Sequence, residues 1–209
     1  MKIIVLACVF LFVATSTANL HCKRGFLDMP RDWIDIKDGC VDSMKDQIKK
    51  EMQASLQYMA MAVHFSQDSV NRPGFAKHFF GAASEEREHG MKLIEQLLMR
   101  GKLTTGVGTL FTYSDLIPTN LTWASGSAAL KSALNLETSV TQSIHGVIKT
   151  CENTGGFNDY HLVDYLTGVF LEEQYTGQRE LAGMISQLEK MEASHGSLGE
   201  FLYDKKLLA

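Results

Sequence analysis

The chain has 209 residues, of which 45% are hydrophobic and 21% charged, the make-up of a single ordinary globular domain. The formal net charge is -4 and no basic run is present, so the electrostatic footprint of a nucleic-acid binder is absent. With only three prolines, long helices are permitted almost anywhere.

Residues 1–18 differ from the rest. Lys2 gives a positive start, Ile3 to Ala14 is an apolar run too short to span a bilayer, and Ser16-Thr17-Ala18 offers small residues where a signal peptidase reads. The segment is expected to be a signal peptide rather than a membrane anchor, and no other stretch is long and apolar enough to span. Cys8 leaves with it, and Cys22, Cys40 and Cys151 remain. An odd number in an oxidising compartment is met most simply by one disulfide within the chain and one to a partner chain. The spacings are not those of a zinc site.

Residues 19–39 carry Pro30 and Gly39 and no clean period, and are expected to form an irregular extension ahead of a domain at 40–209. A helical period runs from about Cys40 to Gln67, with Met44, Ile48, Ser55, Ala62 and Phe65 on one stripe. Asn71-Arg72-Pro73-Gly74 is a turn whose proline opens a second helix reaching about Arg100, with Phe75, Phe79, Ala82, Leu93 and Leu97 inward and Gly101 as the cap. Residues 102–122 hold glycines, threonines and Pro118 without a period, a length that fits a crossover connection. The third helix covers about Ala124 to Cys151, with Leu130, Ala133, Leu134, Ile144 and Ile148 inward. After a break containing Gly155-Gly156, a fourth runs from about Asn158 to Met191, with Val163, Leu166, Phe170, Leu181 and Leu188 inward. Gly196 precedes a short fifth helix with apolar Leu198, Phe201, Leu202 and Leu208. No strand pattern is seen, and the expected class is all-α.

The functional signal is a set of polar groups on these apolar stripes. Glu51 and Tyr58 fall inward on the first helix, Glu86 and His89 on the second, Glu137 on the third and Gln174 on the fourth. Buried, unpaired carboxylates cost more than a domain's marginal stability absorbs, and three together repel one another. No lysine or arginine lies on the stripes, so a multivalent cation is the simplest neutraliser, and carboxylate oxygen with one imidazole suits iron, manganese or zinc. Glu86 and His89, three apart, share one helix face. Four-helix bundles that hold two metal ions take one Glu from each of two helices and a Glu-x-x-His from each of the others. Glu51 and Glu137 match the first pair and Glu86-x-x-His89 one motif, but Glu173-Gln174 stands where the second motif belongs. One metal position therefore lacks a histidine and is expected to hold its metal less tightly, which suits a site where iron binds, reacts and moves on. His64, His78, His145, His161 and His195 are expected to be surface or packing residues.

The blocks KKEMQASLQYMAM, ASEEREHGMKL, ALNLETSVTQS, FLEEQYTGQREL and SLGEFLYDKK together resemble the ferritins over nearly all of the chain after residue 18. The resemblance implies a ferritin-like four-helix bundle with a long crossover between helices two and three and a short fifth helix. It also implies a subunit that binds Fe(II), oxidises it with dioxygen and passes Fe(III) to a mineral inside a shell. Carried over onto matching positions, the iron-oxidising centre falls on Glu51, Tyr58, Glu86, His89, Glu137 and Gln174, the full heavy-chain set. Two iron ions would sit there, bridged by Glu86. Glu51 and His89 would hold one, and Glu137 the other with Gln174 nearby, while Tyr58 tunes the centre by hydrogen bonding. Dioxygen would take electrons from both.

Departures accompany the match. The mineral-seeding acids fall on Glu85 and Glu88, but Met91 takes the third position. Asp164 matches an acid of the threefold channel, whereas Thr167 replaces a second. Leu198 and Leu202 match apolar lining of the fourfold channel, with Lys206 further along. Three extra residues precede the fourth helix around Gly155-Gly156.

The leader and the cysteines resemble the secreted ferritins of insects, which implies export and a 24-subunit shell shared with homologous light-type chains. It implies pairing of Cys40 with Cys151, leaving Cys22 for a partner. Asn120-Leu121-Thr122 is an N-glycosylation sequon. A di-iron oxidase of the same fold would want the second Glu-x-x-His. A helical signalling bundle would have no use for core carboxylates, and a storage-only shell subunit would not need the full six-residue set.

Overall fold

The computed structural model describes residues 33–103 and 107–209, which belong to one compact unit, Trp33–Ala209. The expected signal peptide, Cys22 and most of the N-terminal extension lie outside the described residues.

The first two long helices are α1 (Asp38–Ser66) and α2 (Pro73–Met99). The crossover contains two short 3₁₀ turns, Val107–Thr109 and Tyr113–Leu116, and leads into α3 (Gly126–Asn153). The fourth bundle helix is continuous but not uniform. It comprises α4 (Tyr160–Tyr165), a π-helical stretch over Leu166–Leu171, and α5 (Glu172–His195). Gly196, at φ 59°, reverses the chain into α6 (Ser197–Leu208). Among the described residues there are no strands, and no helix is long and apolar enough to cross a membrane.

The expected α1 stripe is buried throughout, from Met44 to Phe65 with Glu51 and Tyr58 included. On α2 the apolar positions are buried apart from Ala82, which is half-buried, as are Leu134 and Ile148 on α3. The fourth helix departs further. The residue expected inward, Val163, is half-buried, and Leu162 takes the core position. A π turn holds an extra residue, so the periodic phase shifts between Leu162 and Gln174.

Burial divides the core in two. One apolar cluster contains Met44, Ile48, Leu93, Leu97, Val140, Ile144 and Phe170. The other contains Tyr58, Phe65, Phe75, Phe79, Leu130, Leu181 and Tyr203. At or next to the junction of the two sets each of the four bundle helices buries a polar residue: Glu51, Glu86, Glu137 and Gln174.

Helix ends are tied by specific groups. Ser125 accepts from Ala128 N–H at 3.1 Å and Asp159 from Leu162 N–H at 3.1 Å. Arg72 gives α2 no side-chain cap, and the buried Asp204 of α6 does so instead, accepting from Gly74 N–H at 2.7 Å and Phe75 N–H at 3.1 Å. A Cβ at Gly74 would collide with the Asp204 carbonyl, so this approach requires glycine. Glu200 joins Arg72 to the first amide of α3. Arg100 ties the end of α2 to Asp159 and to Asp35.

The disulfide joins Cys40 to Cys151, 111 residues apart, at the start of α1 and near the end of α3, as the resemblance implies. Closing a loop of that length constrains the unfolded chain by roughly 5 kcal/mol in the chain-entropy account. The helix after Gly196 presents Leu198, Phe201, Leu202 and Leu208 to the outside of the single chain, while Tyr203 and Asp204 face the bundle.

Asp204→Ala leaves two buried amides of α2 without an acceptor and is expected to lower unfolding stability by about 1–3 kcal/mol. Denaturant unfolding checks this, and an unchanged midpoint contradicts the role of α6 as the cap of α2.

Candidate metal centre

The four polar positions meet at one level of the bundle because each lies on the buried stripe of its own helix. Glu51 on α1 is fully enclosed, and Gln47, one turn earlier, donates to its Oε1 at 2.8 Å. Glu86 and His89, one turn apart on α2, bring His89 Nδ1 to 3.9 Å from Glu86 Oε2. Ligand atoms of Glu51, Glu86 and His89 lie within 4.8 Å of one another. Glu51 Oε2, Glu86 Oε2 and His89 Nδ1 are buried with no hydrogen-bond partner. Buried polar atoms in native proteins normally have one. Three orphans facing each other have the chemistry of a cation's coordination shell.

Glu137 enters from α3, and Tyr58 Oη donates a short hydrogen bond to its Oε1. Gln174 is buried on α5 with its Oε1 2.7 Å from the Thr141 hydroxyl, which accepts from Gln178 Nε2 at 2.6 Å. A cavity of about 330 Å³ is lined by Glu85, Glu86, Glu88, His89, Glu137, Glu173 and Gln174, among others. It connects Glu137 and Gln174 to the Glu51–Glu86–His89 group. All six residues singled out from the sequence are therefore at or beside one site. Glu51, Glu86 and His89 form its compact part, Tyr58 acts through Glu137, and Gln174 is held toward Thr141.

Electrostatics agree with an unsatisfied anionic site. Burial pushes the Glu51 carboxyl well above the ordinary carboxylate range, and the negative charge of Glu86 adds to it. Burial also raises Glu86, to about 8, with repulsion from Glu137 reinforcing the shift. Burial and the neighbouring Glu137 keep the Tyr58 phenol protonated. No lysine or arginine pairs with Glu51, Glu86 or Glu137 among the described residues, and His89 is the one basic side chain beside them. Lys92, at the mouth, is 3.7 Å from both Glu88 and Glu173.

Several contributors were given no role from the sequence. Glu173 Oε2 holds His89 Nε2 at 2.9 Å, which turns the free Nδ1 toward Glu86. Gln47 precedes Glu51 by four residues and Thr141 follows Glu137 by four, so helical spacing from an acid already identified was the available signal. Of the other histidines, His64 is buried against Trp123, with its Nε2 3.0 Å from the Trp123 carbonyl, and His78 is half-buried. His145, His161 and His195 are exposed. Glu85, Glu88 and Met91 are exposed, as are Asp164 and Thr167.

Comparison with known proteins gives a consistent result. A family model described as Ferritin-like domain matches residues 41–191. A ferritin heavy chain of Trichoplusia ni is 56% identical over 198 residues, spanning 95% of this chain and 93% of its own length. A ferritin heavy chain of Drosophila melanogaster is 54% identical over 197 residues, spanning 93% and 94%. The crystal structure of Trichoplusia ni secreted ferritin is similar with a TM-score of 0.85 at 58% identity, covering 90% of this chain and 97% of that one.

Below pH 8 the metal-free chain holds a proton on Glu86, and a cation must displace it. Binding of Zn(II) as a redox-inert probe is therefore expected to release protons at pH 6.5. Apparent affinity should rise with pH up to about 8, and Glu86→Gln should release fewer protons. Calorimetry in two buffers of different ionisation enthalpy checks this. Proton release that is independent of pH and of Glu86 contradicts the assignment.

Proposed function

The chain belongs to the ferritin family, and on that premise we propose how its own residues carry out the iron oxidation of a heavy-type ferritin subunit. The protein is an iron-storage subunit with ferroxidase activity. Its site holds two ferrous ions as substrate. Glu51 and His89 Nδ1 ligate one, Glu137 ligates the other with Gln174 beside it, and Glu86 lies between them. The observation that carries this assignment is the convergence of Glu51, Glu86 and His89, with orphaned ligand atoms, beside the buried Glu137 and with no lysine or arginine paired to the acids among the described residues.

Each residue then has a physical task. The carboxylates replace the water stripped from Fe(II) on entry, and by losing their protons they supply the negative charge that favours the ferric state. Each ferrous ion gives up one electron to dioxygen. Tyr58 fixes Glu137 through its hydrogen bond and limits its swing. Glu173 fixes the His89 tautomer and ring plane from the far side. The second position offers Glu137 and an amide but no histidine, so it holds iron more weakly and releases it once oxidised. Glu85 and Glu88, exposed on the cavity rim, receive the product on its way to the mineral.

The family assembles as an oligomeric shell. For this chain we infer a 24-subunit shell shared with light-type chains, with the exposed apolar side chains of α6 buried between subunits. The Cys40–Cys151 disulfide supports folding in an oxidising compartment, and with the leader-like residues 1–18 it supports export.

Aerobic Fe(II) oxidation, followed by absorbance, is expected to be fast for the purified protein and lost in the double variant Glu86→Ala, His89→Ala. Equal, slow oxidation by both would contradict the assignment. Glu173→Ala is expected to weaken metal binding by about 10–100-fold with the fold intact, since it removes the support of His89 and otherwise only a half-exposed pair with Lys92. Circular dichroism together with a Zn(II) titration checks this, and unaltered affinity would remove Glu173 from the account.

A further inference from the structure

Of the remaining cavities, one of about 310 Å³ lies between α1, the end of the crossover and α3, and is lined by Gln57, Met61, Thr119, Asn120, Trp123, Ser132, Asn135 and Leu136. The iron chemistry does not use it. Asn120 at its edge heads the sequon Asn120-Leu121-Thr122, and all three residues are exposed. The local backbone lies outside any helix, as the sequon must to enter a transferase.

The segment is held in an unusual way. The buried Gln57 accepts from Thr119 N–H at 2.9 Å and Asn120 N–H at 3.2 Å, and donates to the Asn120 carbonyl at 2.7 Å. Both backbone groups of Asn120 are thus fixed from α1. His64 anchors the next turn through Trp123. The Asn120 side chain has no part in this. Its Oδ1 makes one long contact, 3.4 Å to Thr122 N, and its Nδ2 donates to nothing among the described residues. The groove beside it combines amide and hydroxyl groups from Gln57, Asn135, Ser132 and Thr119 with apolar surface from Met61, Leu136 and Trp123. The indole Nε1 of Trp123 has no partner. An N-acetylhexosamine ring offers the matching mixture, with apolar ring faces, hydroxyls and an acetamido group.

We propose that Asn120 carries an N-linked glycan whose first sugar rests in this groove. The inference rests on export through the secretory route. In the transfer step Asn120 Nδ2 attacks the anomeric carbon of a lipid-pyrophosphate-linked oligosaccharide. A C–N bond forms, the C–O bond to the pyrophosphate breaks, the lipid pyrophosphate departs, and the amide nitrogen gives up one proton. Because the loop is pinned by Gln57 rather than by Asn120, the attachment leaves the crossover in place.

The test expresses the full chain in insect cells and follows both its destination and the Asn120 peptide. Protein recovered from the medium without its leader is treated with an amidase that cleaves asparagine-linked glycans, in heavy-oxygen water, and analysed by mass. The expected result is conversion of Asn120 to heavy-labelled aspartate, lost in Asn120→Gln and Thr122→Ala and kept in Thr122→Ser. Bare Asn120 in exported protein overturns the site while export stands. Protein retained in the cytosol with its leader intact overturns both. For the groove, glycan release from the folded protein is expected to be several-fold slower than from denatured protein, and Ser132→Phe, which fills the groove, is expected to speed it. Equal release from folded Ser132→Phe and folded wild type overturns the seat of the first sugar.

Discussion

Repulsion among Glu51, Glu86 and Glu137, held in a buried layer with no lysine or arginine paired to them, is the constraint around which the rest of the bundle is arranged. Such a layer opposes folding, since each carboxylate is stripped of water and set beside others of like charge. Apolar clusters on both sides keep the layer closed, one around Met44, Leu93 and Ile144 and one around Phe65, Phe79 and Leu130. The Cys40–Cys151 disulfide braces the first cluster, and the α6 caps at Gly74 and Gly126 brace the second. These ties lie at the two ends of the bundle, on either side of the polar layer. The raised carboxyl pKa values of Glu51 and Glu86 express the same constraint, burial and like-charge neighbours favouring the protonated form.

The fold and the centre were legible in the sequence to different depths. Helical period placed Glu51, Glu86, Glu137 and Gln174 inward because each interrupts an otherwise apolar stripe, and a polar residue in such a place is informative where an apolar one is not. Glu173 was noted only as standing with Gln174 where a second motif belongs and was given no role, because it sits on the exposed side of its helix and only the position of α2 in space shows that it reaches His89. The π stretch Leu166–Leu171 was invisible to a fixed period, since one extra residue shifts phase without leaving a compositional mark. Asp204 is acidic, near the C-terminus and on a helix rich in exposed apolar side chains, so nothing local marks it as the cap of a helix more than a hundred residues away.

The crossover and α6 connect this layer to assembly. By carrying the chain along the bundle between α2 and α3, the crossover lets three acids and an amide from four helices meet at one level, which three short hairpin turns would also permit but with a different helix order. It is fastened by Gln57 and His64, both on α1 and both away from the metal layer. The α6 helix turns Tyr203 and Asp204 to its own bundle and Leu198, Phe201 and Leu202 outward, a division that suits a subunit made to be covered by others. Iron oxidation is thus a property of one chain's interior, and storage a property of how its outer surfaces are met.

The central claim is that two metal positions share Glu86 inside a single subunit. Anomalous diffraction at the iron edge, from crystals of the assembled protein loaded with Fe(II) without oxygen and then frozen, tests it most directly. The account predicts two peaks in the buried layer on either side of the Glu86 carboxylate, the one near Glu51 and His89 stronger than the one near Glu137. Iron found only on exposed acids, with the buried layer empty, would contradict it.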